Sequence, residues 1–141
     1  MDINVNMKKK VYTPQQAASA AFFGGPIAST MLIKKNFDAM ANFELSRKTC
    51  IFGVVFVVCL LSLLPFLPEK FPNYVIPMLT AIFTKLIVEN FQFKKEEILM
   101  SEDFEFHSNW RVFGESILFM LLFFIVLFLS FTLFSLLGVV K

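Results

Sequence analysis

The sequence predicts an all-α, polytopic helical membrane protein. Three transmembrane helices follow an N-terminal segment, broken at a Gly-Pro step, that is either re-entrant or a fourth transmembrane helix. Three observations predict this. The 141 residues are 57% hydrophobic and only 17% charged, with a mean hydropathy of +0.69. Ordinary soluble domains carry about 25% charge, and a short chain has too little volume for its surface to hide so much apolar mass in one core. The apolar residues fall into long charge-free runs, and the lysines and arginines are spread unevenly over the loops between them. Together these argue against a soluble enzyme, a disordered tail or a disulfide scaffold. Residues 1–141 read as a single membrane domain.

The first element, 14–33, opens at Thr13-Pro14-Gln15-Gln16, with Thr13 as N-cap, Pro14 at the first helical position and Gln16 completing a capping box. It is rich in small residues and broken by Gly24-Gly25-Pro26, where proline removes a backbone hydrogen bond and bends the chain. The second, 50–67, is charge-free, with Pro65 in its last turn. A short link leads to the third, 74–93, which carries Lys85 and Glu89 inside its window. The last, 117–140, has no charge over 24 residues, about 36 Å of helix against a hydrocarbon core of about 30 Å.

Between these spans, 34–49 is expected to form an interfacial helix, with Ile33, Phe37, Met40 and Ala41 on one face. The 94–116 loop is expected to begin as a charged continuation of the third helix. Trp110 and Arg111 stand where an aromatic and cationic anchor belongs before the last span. Loops 34–49 and 94–116 hold seven lysines and arginines together, against Lys70 and Lys141 on the other side. Basic loops face the cytoplasm. With Lys8, Lys9 and Lys10 added, the split is ten to two if the first segment re-enters, and seven to five if it spans. The asymmetry favours re-entrance, with the C-terminus outside.

Two constellations stand out. Ala17, Ala21 and Gly25, and likewise Ala20, Gly24 and Ala28, recur every four residues next to Pro26. This spacing lets helices approach closely in lipid, and a broken helix can also present its ends to an ion; packing is the simpler reading. Lys85, Glu89 and Gln92 share a helical face. Ionisable groups inside a span ask for a function, although Lys85 could snorkel and pair with Glu89. Glu115, at the start of the last span, suggests a Lys85–Glu115 or Arg111–Glu89 contact between helices.

The remaining signals are negative. Cys50 and Cys59 lie on opposite sides of one helix. His107 is the single histidine, and no metal-ligand spacing, P-loop, dinucleotide fingerprint or nucleophile motif is present. No catalytic residue, cofactor, metal or small-molecule substrate is expected, and a net charge of +2 gives no reason to expect nucleic acid.

Tyr12-Thr13-Pro14-x-Gln16, Ala21-Phe22-x-Gly24-Gly25-Pro26-x-Ala28 and Asn36-Phe37, with Ser108-x-Trp110-Arg111 before the last span, resemble small bacterial inner-membrane proteins of unknown function. These open with Y-[ST]-P-x-Q, continue into F-x-G-G-P and stop at N-[FY]. Residues 89–106 are more charged here than that pattern. The resemblance implies a bacterial cytoplasmic membrane and no activity. The expected role is non-catalytic: helix packing, as an oligomer or as an accessory subunit of a membrane complex, with the bilayer and itself or another membrane protein as partners. A small ion channel or transporter is the alternative, and a holin-like or toxin membrane-lesion protein the next. Fourteen of the 20 phenylalanines lie in the four segments, six in the last and two in the first. The first segment therefore reads as a packing element and the last as a lipid-facing anchor.

Overall fold

A computed structural model describes residues 7–139. Val140 and Lys141, counted above in the last span and in the charge balance, lie outside the described residues. Along the chain run β1 (Lys9–Val11), α1 (Pro14–Ala39), α2 (Phe43–Leu63) with a 3₁₀ turn (Leu64–Phe66), α3 (Val75–Phe91), α4 (Lys95–Met100), β2 (Phe104–Phe106) and α5 (Asn109–Leu136).

The protein is mostly helical. The purely helical expectation is amended by one feature: β1 and β2 pair in parallel, Lys9 opposite Phe104 and Val11 opposite Phe106. Three-residue strands joined across so long a stretch leave no periodic signal in the sequence.

The decisive element is α1. Gly25 adopts φ 65°, ψ −157° within it, a region essentially restricted to glycine. Pro26 follows and begins a new helical run. A continuous helix would set Tyr12 and Asn36 about 36 Å apart. Instead the Tyr12 amide donates to Asn36 Oδ1 at 2.8 Å. The chain folds back at Gly25, and α1 is a hairpin with arms 14–24 and 26–39. Small residues make this possible. Ala17, Ala20, Ala21 and Ala28 are fully buried, and a Cβ on Gly24 would fall 2.6 Å from Ala28 Cβ and 3.0 Å from Phe119 Cβ.

The hairpin is the centre of the molecule, and α2, α3 and α5 all pack on it. Helix α3 offers it Thr80, Thr84 and Val88, all buried. Helix α5 passes Gly24 at Phe119 and Gly25 at Phe123, then continues beyond the hairpin tip. Helix α2 crosses the second arm where Gly53 meets Thr30; a side chain there would fall 2.2 Å from Thr30 Cγ2.

Two helices, Phe43–Phe66 and Asn109–Leu136, are long and apolar enough to cross a membrane. In each, only 6% of the most apolar window is buried inside the protein. Helix α3, at 17 residues, is shorter.

Several sequence boundaries are corrected. Residues 34–49 form no separate interfacial helix. The first six complete α1, a turn with Ala41 at φ 58° follows, and α2 starts at Phe43. Ile33 and Phe37 are buried in the core and do not face outward. Helix α3 stops at Phe91 and does not continue into the charged loop, where α4 and β2 form instead. Helix α5 begins at Asn109, eight residues before the charge-free run, because Ser108 caps it by accepting from the Arg111 amide.

Candidate functional site

A connected set of polar side chains gathers at the open end of the hairpin. Its first layer closes the two arms. Asn36 is fully buried. Its Oδ1 accepts from the Tyr12 amide, and its Nδ2 donates to Tyr12 O at 3.0 Å and to Gln92 Oε1 at 2.9 Å. Gln92 Nε2 donates in turn to Ile33 O at 2.8 Å. One side-chain amide thus satisfies the backbone where the chain leaves β1, and a second ties the end of α3 to the hairpin.

The second layer joins the first arm to α5. The capping box at Thr13 and Gln16 forms as expected. It leaves Gln16 Nε2 free to donate to His107 O at 2.7 Å and to Asn109 Oδ1 at 2.9 Å. The His107 amide donates to Val11 O, which extends the β1–β2 pairing by one bond. The His107 ring lies on the Tyr12 ring, centroids 4.3 Å apart.

The third layer is ionic. The Tyr12 hydroxyl donates to Glu115 Oε2 at 2.5 Å. Lys35 Nζ and Arg111 Nε meet the other carboxylate oxygen at 3.1 Å and 3.2 Å. The Glu115 side chain is 16% exposed and Arg111 57%, so the carboxylate is sheltered while one of its cations reaches outward. Lys35 also stands 5.8 Å from the Tyr12 ring centroid. Burial, reinforced by the Glu115 carboxylate, pushes the Tyr12 phenol up. Burial, with Arg111 beside it, pushes His107 down. His107 Nδ1 is buried without a hydrogen-bond partner among the described residues. Tyr12 therefore stays a neutral donor to Glu115, and His107 is held neutral. Chemically the arrangement is a clasp: its donors and acceptors face one another and fix four chain segments at one point.

The sequence-derived candidates distribute as follows. Ala17, Ala21, Gly24, Gly25, Pro26 and Ala28 come together at the hairpin's inner face and tip, all buried. Glu115 and Gln92 join the clasp, while Lys85 and Glu89 do not. Lys85 is exposed and Glu89 half-buried, and neither forms an ion pair among the described residues. The Lys85–Glu89, Lys85–Glu115 and Arg111–Glu89 contacts do not form; Glu115 takes Lys35 and Arg111. The reason is rotational. Helix α3 turns Thr80, Thr84 and Val88 toward α1, and Lys85 and Glu89 lie about 100–140° round the helix from that face. Gln92 turns inward because α3 ends at Phe91 and the chain leaves the helix there with φ −126°, ψ −89°. Lys85 and Glu89 stay on the outer side. Trp110 is 83% exposed in the first turn of α5, edge-on to Phe113. Arg111 beside it is part of the clasp.

Sequence reasoning did not assign the clasp to Tyr12, Lys35, Asn36, His107 and Asn109. The available signal was the Tyr12–Gln16 opening and Asn36, quoted above as a motif and not as partners. Among the described residues no cluster of three or more His, Cys, Asp or Glu could hold a metal ion. Comparisons with protein-family models, curated proteins and solved structures find no match.

Proposed function

We propose that this chain is an integral protein of a bacterial inner membrane. It acts without catalysis, through helix packing, as an oligomer or as an accessory subunit of a membrane complex. The observation that carries this reading is the outward apolar surface of α2 and α5, nearly all of it unburied, beside a hairpin core whose polar groups meet one another. In water such a surface would far exceed the few hundred Å² that monomers tolerate. In lipid it is the ordinary state.

On this reading α2, α3 and α5 cross the bilayer, and α3 accommodates its shorter length by tilt or local thinning. The hairpin enters and leaves on one side. The arms are about 16 Å and about 21 Å long, enough to reach the middle of a core of about 30 Å but not to cross it. Its open end then lies level with the basic segments at Lys8–Lys10, Lys34–Lys35 and Lys94–Lys95, the cytoplasmic side by charge. The hydroxyls of Thr80 and Thr84 donate to backbone carbonyls one turn earlier, and Lys85 faces outward. This supports packing over a conducting pore lined by these residues.

Three measurements test the reading. Alkaline carbonate should leave the protein in the membrane pellet, and mild-detergent purification should bring down a homo-oligomer or a membrane partner. Reporters fused after Lys10 and after Lys35 should both report the cytoplasmic side. Opposite sides would replace the hairpin by a fourth span.

A further inference from the structure

The most prominent cavity lies away from the clasp, between α2 and α3. The second arm of the hairpin forms its floor through Thr30 and Ile33. Its volume is about 780 Å³. Phe52 and Phe56 of α2 face Leu79 and Phe83 of α3 across it, and Lys48 and Thr49 stand at the clasp end. We infer that this groove holds one acyl chain of an anionic phospholipid, with its phosphate at Lys48. The inference rests on the membrane reading above.

Three observations choose this occupant. The first is polarity. The hydroxyls at the floor are already paired: Ser29 with Thr84 at 2.6 Å, and Thr30 to Pro26 O at 2.8 Å. The groove therefore asks nothing polar of its guest along its length. The second is size. From Leu45 to Leu60 the α2 wall runs about 22 Å, against about 15 Å for the hydrocarbon of one leaflet. A helix 10–12 Å across and as long as that wall would fill about 1,700–2,500 Å³, more than the roughly 1,600 Å³ of open space between the walls, bulk solvent included. The third is charge. Lys48 is paired only with exposed Glu44 at 2.6 Å, a surface contact worth little and readily exchanged. Arg47 projects from the opposite side of α2 and does not line the groove. Through Lys48 the mouth therefore offers positive charge at the level where phosphates sit.

Native mass spectrometry of the full chain, released from detergent after equilibration with equal phosphatidylglycerol and phosphatidylcholine, tests this. The wild type should retain one phosphatidylglycerol per chain. Leu79→Trp, which fills the groove, should lose it. Ile125→Trp, on the outer surface of α5, should keep it. Lys48→Gln should cut the preference for phosphatidylglycerol about fivefold, and Arg47→Gln, on the far side of α2, should leave it unchanged. The inference is overturned by a wild type that carries no lipid or shows no headgroup preference. It is equally overturned by a Leu79→Trp protein that keeps its lipid, or by a second copy found in place of lipid. Carbonate washing of the same membranes separates the two failures. Protein that stays in the pellet but carries no phosphatidylglycerol sinks only the lipid site, whereas protein that washes off sinks the membrane reading as well.

Discussion

Replacing Asn36 with alanine should open the hairpin. The wild-type side chain is fully buried and makes three hydrogen bonds, two to Tyr12 backbone atoms and one to Gln92. At about 0.5–1.5 kcal/mol per bond the loss sums to about 3 kcal/mol. The figure is sustained because the Tyr12 N–H and C=O stay behind, buried and unpartnered. For a chain of this size that is a fall in Tm of roughly 10 °C. Asn36→Asp should be no better. It keeps an acceptor for the Tyr12 amide, but it turns both donated bonds into contacts between oxygens and adds a charge at a buried site. Asn90→Ala is the control, since exposed Asn90 bonds only Leu86 O within its own helix. The assay is thermal unfolding in mild detergent, followed by the fluorescence of Trp110, which sits at the clasp end of α5. If Asn36→Ala and Asn90→Ala melt within about 2 °C of each other, roughly 0.5 kcal/mol, the fold-back at Gly25 is not held by Asn36 and the argument fails.

At the hairpin tip, Gly25→Ala should cost about 1–3 kcal/mol for its backbone conformation alone, and Gly24→Ala a similar amount by overpacking Ala28 and Phe119; unchanged melting in both would contradict a tight fold-back. Glu115→Gln should lower stability by about 2 kcal/mol, because Lys35 and Arg111 lose their shared carboxylate. Lys85→Met and Glu89→Gln should stay within about 0.5 kcal/mol of wild type, and the reverse ranking would restore the outer pair as the important charges. Stability should also depend on pH through His107. Its folded pKa lies below the ordinary value of about 6.5, so below that pH the unfolded chain takes up the proton first and stability falls; above it the contribution is fully present. Denaturant titrations from pH 7.5 to 5.5 should show the decline and lose it in His107→Phe, while stability that rises on acidification would contradict a neutral buried ring.

What the sequence disclosed follows from how local each cause is. The helix start at Thr13–Gln16 is a four-residue device and was legible in full. The Gly-Gly-Pro break was legible as a break. That the arms then meet was not, because it depends on Asn36 reaching Tyr12. Charge asymmetry pointed toward a fold-back by an independent route, through loop composition. The clasp was hidden because its members lie far apart in the chain and belong to different elements. Lys35 looked like one of several loop lysines, and nothing nearby marks it as the partner of Glu115. Lys85 and Glu89 drew attention for the opposite reason. Their position inside an apolar window is visible locally, whereas the side of α3 they occupy is decided by what Thr80, Thr84 and Val88 pack against.

The clasp also orders events during synthesis. Asn36 follows Tyr12 by 24 residues, so the hairpin can close almost as soon as its second arm is made. Glu115 follows Lys35 by 80 residues, an interval of about 4–16 s at ribosomal rates of about 5–20 residues per second. Throughout that interval Lys35 waits without its carboxylate, and the folded-back arms wait first for α3 and then for α5. A nascent chain halted before Ser108 therefore holds a closed hairpin with an unpaired cation at its mouth. If the chain is inserted into a membrane as proposed, that intermediate is the one its insertion machinery meets on every round of translation.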